Sequence, residues 1–231
     1  MRLLFQTLKW DALLIYKYGI VAVAASITTL YCVGFLLVDT KGFENIVAAL
    51  IFSDPVMYGF LFTAVMVLFE KDARTHEVLA VTTLPGEYYL LSKAIVFTLL
   101  SFLCSLAMVI FAQPAQFHPV IFMLAVLLSS VLFVFVGVIG VSFVQNFNQF
   151  ILIIPIVLAP VCLPFLSFFG LSNSWWYYLI PTQACLVLFK GSMNSIAPWQ
   201  LAYALIYLSI CVLLAYFWAV KSFYIRILKR N

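Results

Sequence analysis

The sequence predicts an all-α membrane protein with six transmembrane helices. Of its 231 residues, 66% are apolar and only 9% are charged, against about 25% charged in a typical soluble domain. The apolar residues fall in runs near the ~20 residues that cross a bilayer. A soluble core of this size cannot enclose so much apolar surface, so the surplus faces lipid. The length suits one integrated membrane domain over 1–231, with no room for a second large soluble one.

Residues 1–18 read MRLLFQTLKWDALLIYKY. Leu4, Leu8, Trp10, Leu14 and Ile15 recur near the helical period, and Lys9, Asp11 and Lys17 break any continuous apolar run. The pattern predicts an interfacial amphipathic helix with Trp10 at headgroup depth, and no cleavable signal peptide is visible. Span 1 is expected over 20–38. A polar turn, Asp39-Thr40-Lys41-Gly42, follows. Residues 43–52 are too short to cross alone and form either a surface helix or the start of span 2. Ser53-Asp54-Pro55 looks like a helix start, with Asp54 capping at the outer interface and Pro55 in the first turn; a buried carboxylate there would instead suggest proton coupling. Span 2 then ends at Phe69.

Span 3 is expected over 94–112, span 4 over 120–144, span 5 over 150–169 and span 6 over 201–220. Residues 175–189, WWYYLIPTQACLVLF, are apolar but short, and predict a re-entrant or interfacial hairpin within a 170–198 region. The tail, KSFYIRILKRN, is basic. With six spans both termini share a side. That side holds Arg2, Lys9, Lys17, Lys71, Arg74, Lys93, Lys221, Arg226, Lys229 and Arg230; the other holds only Lys41 and Lys190. The positive-inside rule places both termini in the cytoplasm. The net charge of +4 is explained by this distribution and does not signal nucleic acid.

Three groups of residues are candidates for function. The first is the charged stretch 70–93, EKDARTHEVLAVTTLPGEYYLLSK, the only dense charge cluster. On a helix, Glu70, Arg74 and Glu77 share one face, and Asp72 and His76 have the same i, i+4 spacing. Pro85-Gly86 breaks the segment, and Glu87-Tyr88-Tyr89 leads into span 3. Such a segment is either an ordinary solvated hairpin or a handle for a cytoplasmic motor. The second is a set of rings, Phe133, Phe135, Phe143 and Phe147, which suit a cavity for flat apolar or cationic compounds or plain lipid contact. The third is Pro155, Pro160 and Pro164 in span 5. Each frees a backbone carbonyl, which needs protein or water around it, so span 5 is expected inside the assembly. Trp175, Trp176, Tyr177 and Tyr178 read as interfacial belt residues. His118 reads as a solvated turn residue. Cys32, Cys104, Cys162, Cys185 and Cys211 form no CxxC and read as small apolar side chains.

The run LFEKDARTHEVLAVTTLPGEYYLLSKAI resembles the signature of ABC-2 type transporter permeases. Glu70, Thr75, Glu77, Leu79, Thr83, Leu84, Pro85, Tyr89, Leu90, Leu91 and Lys93 carry the likeness. The chain departs in reading T-L-P where T-P-L is commoner, and in having His76 or Arg74 where Gly is usual. Its WDALLIYKYG start to span 1 is similar to the fluoroquinolone-export subset of those permeases. The resemblance implies a connecting helix at 1–18, a coupling segment at 70–93 that engages a motor through Glu70, Arg74, His76, Glu77, Pro85, Glu87 and Tyr88, and small outer helices at 170–198. It also implies a working unit of two permeases, identical or homologous, and two ABC ATPase subunits in the cell inner membrane. No GxxxxGK[ST] loop occurs, so ATP and Mg belong to the partner ATPase, and no cofactor or metal is expected in this chain.

Two other readings stay open. A secondary transporter would need midplane ionisable groups or inverted repeats, and none is visible. A permease of haem-export or cytochrome-maturation type shares the ABC-2 fold. An intramembrane enzyme is disfavoured: both histidines fall outside spans, and HExxH is absent.

Overall fold

The computed structural model describes residues 2–38, 42–73, 75, 85–112, 117–172 and 174–228. Among them all regular structure is helical. Helix α1, Arg2–Lys17, turns at Gly19 into α2, Ile20–Leu37. Gly19 holds φ 72, a left-handed conformation that other residues adopt only with strain. The other helices are α3 (Glu44–Asp72), α4 (Gly86–Ala112), α5 (Pro119–Ser142), α6 (Phe147–Phe168), α7 (Pro181–Met193) and α8 (Pro198–Ser222), the last continuing as a π-helical segment, Phe223–Leu228. Six of them, α2 to α6 and α8, are long and apolar enough to cross a membrane.

Of the two readings open for residues 43–52, the structure takes the second: they are the start of span 2, and no separate surface helix. One expectation about this span is corrected. Asp54 is not an interfacial cap, because it lies fully buried within α3, with Pro55 inside the helix. The helix survives its proline by widening: Met57–Phe62 is π-helical, and the Met57 N–H bonds back to the Ser53 and Asp54 carbonyls. A wider turn absorbs the hydrogen bond that proline cannot make.

Helix α5 stands at the centre, packed by α3, α4, α7 and α8. Its Ala125, Val126, Val134, Val138 and Val141 are completely buried. The backbones of α3 and α5 meet at two glycines. A Cβ on Gly59 would lie 2.8 Å from the Phe133 Cβ, and one on Gly137 would lie 2.7 Å from the Phe60 carbonyl oxygen. Close approach through small residues is how membrane helices gain packing energy when lipid is as apolar as the core.

The short apolar stretch after α6 is a 3₁₀ turn, Trp175–Leu179, followed by α7. Ala184, Cys185, Leu186, Leu188 and Phe189 of α7 are fully enclosed by the chain. The Tyr203 hydroxyl donates to the Tyr178 carbonyl at 2.5 Å and that of Tyr207 to the Leu179 carbonyl, pinning the turn to α8.

Candidate functional site: a buried ion cluster at the hairpin end

The last turn of α3 and the first turns of α4 flank the charged stretch, and they are joined by buried charge. Lys93 of α4 has no exposed surface. Its Nζ lies 2.6 Å from Glu70 Oε1 on α3 and 3.3 Å from Asp11 Oδ1 on α1. Asp11 also accepts from the Ser92 hydroxyl at 2.5 Å, and Glu70 accepts from the Tyr89 hydroxyl. The ammonium sits 4.4 Å above the centre of the Tyr89 ring. Thus one cation and two carboxylates, all buried, clasp three helices, and hydroxyls occupy remaining carboxylate lone pairs. A buried ion pair holds its geometry only when such extra hydrogen bonds offset desolvation. Burial pushes the Asp11 carboxyl above its usual range, the nearby Lys93 opposes this, and Glu70 adds to it.

The residue after Glu70 makes a second clasp. Lys71 Nζ donates to the carbonyls of Val141 at 2.8 Å and Val144 at 2.9 Å. A cation on the last carbonyls of a helix satisfies orphan acceptors and meets the negative end of its dipole. The Thr75 hydroxyl donates to the Glu70 carbonyl at 2.6 Å. Glu70-Lys71 therefore ties the end of α3 to α1, α4 and α5 at once. On the far flank the chain's end closes over α4: the Gly86 N–H donates to the Tyr224 hydroxyl at 3.0 Å, and Phe223 stacks on Tyr89 at 4.7 Å.

Both ends of the described chain thus meet the base of the hairpin, as an even number of spans requires. A sequence model of the fluoroquinolones export permease protein family matches residues 2–231. The chain belongs to this family. Two relatives, the fluoroquinolones export permease proteins of Mycobacterium tuberculosis strains CDC 1551 and H37Rv, are each 29% identical over 164 residues, covering 68% of this chain and 68% of theirs. The protein is a multi-pass membrane permease of that family.

Within the permease the expected coupling residues divide. Glu70 is 5% exposed, so it is not on the solvent face assigned to it; it holds helices together behind that face. Pro85 and Glu87 are exposed and Tyr88 is half-buried at the start of α4. Arg74, His76 and Glu77 lie outside the described residues. The four rings do not line one cavity. Phe133 packs into the core against Phe52. Phe135, two residues on and so on another flank of α5, borders an apolar groove of about 500 Å³ with Leu99, Phe102, Met123 and Val131. Phe143 and Phe147 are exposed beyond the end of α5.

Of the prolines, Pro155 and Pro160 lie inside the first segment of α6, and Pro164 starts its second after a break at Leu163. Within one chain most of this span is open: among the described residues of α6 only Phe150 and Pro164 are buried, so its enclosure in an assembly would fall to another subunit. Sequence reasoning noted Asp11, Lys71 and Lys93 as charges, but not as the partners of Glu70 or of α5.

The permease should tolerate loss of one of these carboxylates better than the other. Asp11→Asn removes a charge that burial disfavours and leaves Lys93 its closer partner, so stability in detergent should change by no more than about 1 kcal/mol. Glu70→Gln leaves the cation with its 3.3 Å contact alone and should cost more. Thermal unfolding of the two variants, compared side by side, checks the order; Asp11→Asn as the worse variant would contradict this account.

Proposed function

We propose that the chain is the membrane-spanning subunit of an ATP-driven exporter of ABC-2 type, moving flat amphipathic aromatic compounds of the fluoroquinolone class out of the cytoplasm or inner leaflet. Two copies, or this chain and a homologue, pair with two ATPase subunits that hold ATP and Mg. The observation that carries this reading is the Glu70–Lys93–Asp11 clasp. It makes the base of the hairpin a rigid junction of α1, α3 and α4 instead of a loose loop. A push on residues 74–88 then moves three helices together, and α3 delivers that movement to the π-helical segment beside α5. The residues offered to the motor are Arg74, His76, Glu77, Pro85, Glu87 and Tyr88. The names of the two relatives support the cargo class.

The test is made on the permease purified with its ATPase. Arg74→Ala, Glu77→Ala and Glu87→Ala should leave membrane insertion and basal hydrolysis in place and abolish the stimulation of hydrolysis by a fluoroquinolone. Unchanged stimulation in all three variants would show that the hairpin is not where the motor acts.

A further inference from the structure

Asp54 has no part in the clasp, yet it is a carboxylate with 0% exposure inside a membrane span. It follows Glu44 by ten residues, about 15 Å along the helix, roughly half the thickness of a hydrocarbon core. Its surroundings are polar but uncharged. Oδ2 accepts from the Ser105 hydroxyl of α4 at 3.5 Å. The hydroxyl of Tyr58, one turn along α3, donates to the Ala24 carbonyl of α2 at 3.5 Å. The Tyr58 hydroxyl lies 3.4 Å from that of Thr28 on α2. Cys104 of α4 packs in a small buried cluster with Ala24 and Tyr58, and Cys32 of α2 is buried.

On the opposite flank of α3, Phe52 meets Phe133 of α5 and Phe189 of α7. Helix α7 brings Cys185, which interacts with Ser129 and Cys211, and Lys190 in its last turn. The residues found interacting with Asp54 therefore include no cation. Asp54 Oδ1 is itself buried without a partner among the described residues, and so are the hydroxyls of Ser101 and Thr98 on the same face of α4 as Ser105. An ionised carboxylate without a counter-charge in such a place costs far more than a protonated one.

We propose that Asp54 is a proton-binding site of the transport cycle, holding its proton while the seam between α2, α3 and α4 is closed as seen here and releasing it to water when that seam opens. The only bond made or broken is the carboxyl O–H, with water as acceptor and donor. Asp54 has no exposed surface, so the closed site suits a proton and not a cargo molecule. The location gives the proton leverage. Asp54 directly precedes Pro55 and the π-helical turn, on the same helix that carries Glu70 in its last turn. The movement rests on the exporter reading, whereas the protonation does not.

The test uses the full chain in lipid nanodiscs and infrared difference spectroscopy at neutral pH. Wild type minus Asp54→Asn should show the carbonyl band of a protonated carboxyl, insensitive to replacing choline chloride by sodium chloride. Ser105→Ala, which keeps the acid but removes a donor, should shift that band. As pH is raised until the band disappears, Cys104 should become several-fold more reactive to a water-soluble maleimide, beyond the rise seen for the same thiol in Asp54→Asn. No carboxyl band in wild type, a band abolished by sodium, or thiol reactivity equal in the two proteins overturns the proposal. The hairpin experiment is indifferent to these outcomes, so the two readings fail separately.

Discussion

Lys93→Ala is expected to be the most damaging charge substitution in the permease. It leaves Glu70 and Asp11 facing a cavity with no cation, in a place where neither has water. Breaking a buried pair by removing one partner costs about 3–5 kcal/mol, and here one partner serves two carboxylates and three helices. The lysine stem also fills volume against the Tyr89 ring, so truncation adds a packing loss. The expected result is a sharp fall in the thermal midpoint of the detergent-solubilised protein, or failure to accumulate in the membrane.

The comparison that isolates the cause is a fully neutral set, Asp11→Asn with Glu70→Gln and Lys93→Met. Replacing a whole buried ion cluster by uncharged groups of similar volume is often neutral for stability. The triple variant should therefore recover most of the lost midpoint. On the exporter reading it should not recover stimulation of the ATPase, because a neutral junction is no longer fixed in register. A triple variant as unstable as Lys93→Ala would mean that shape, and not charge, holds α1, α3 and α4 together.

The span pattern was legible because it rests on composition and length, which lipid dictates directly. The polar partnerships were not. Lys93 pairs with Glu70 at a separation of 23 residues and Asp11 at 82, and no local spacing announces either contact. The i, i+4 relation of Glu70 to Arg74 was the visible pair, but Glu70 turned inward. Asp54 misled for a different reason. Ser53-Asp54-Pro55 has the chemistry of a helix start, and only three-dimensional packing shows that α3 runs through it on a widened turn. Residues 175–189 were legible as too short to cross, but hydropathy cannot tell protein from lipid: α7 is apolar because it is enclosed by α3, α5 and α8. The prolines of α6 suggested a place inside the assembly, and within one chain its surface is open along most of its length. That open face is where a second permease would have to cover the carbonyls its prolines release.

The second large effect is steric and lies where α3 passes α5. Gly137→Val should destabilise the permease by about 3 kcal/mol, within the range for forced overpacking. The reason is what a side chain would meet. A Cβ at 137 lies 2.7 Å from the Phe60 carbonyl oxygen and 3.2 Å from its Cα. These are backbone atoms of the π-helical turn, which no rotamer change can move aside. The strand of contacts on either side is equally tight, since Gly59 abuts Phe133 in the same way.

Gly140, one turn on, supplies the control. A Cβ there would meet the Phe60 ring edge at 3.4 Å, ordinary contact with a side chain that can yield, so Gly140→Ala should cost less than about 1 kcal/mol while gaining helix propensity. Gly137→Ala should fall between Gly140→Ala and Gly137→Val in thermal midpoint. Equal midpoints for the two alanine variants would mean that α3 and α5 slide apart freely. The widened turn of α3 would then be free to relax, and nothing in the packing would connect a push at Glu70 to the segment around Asp54.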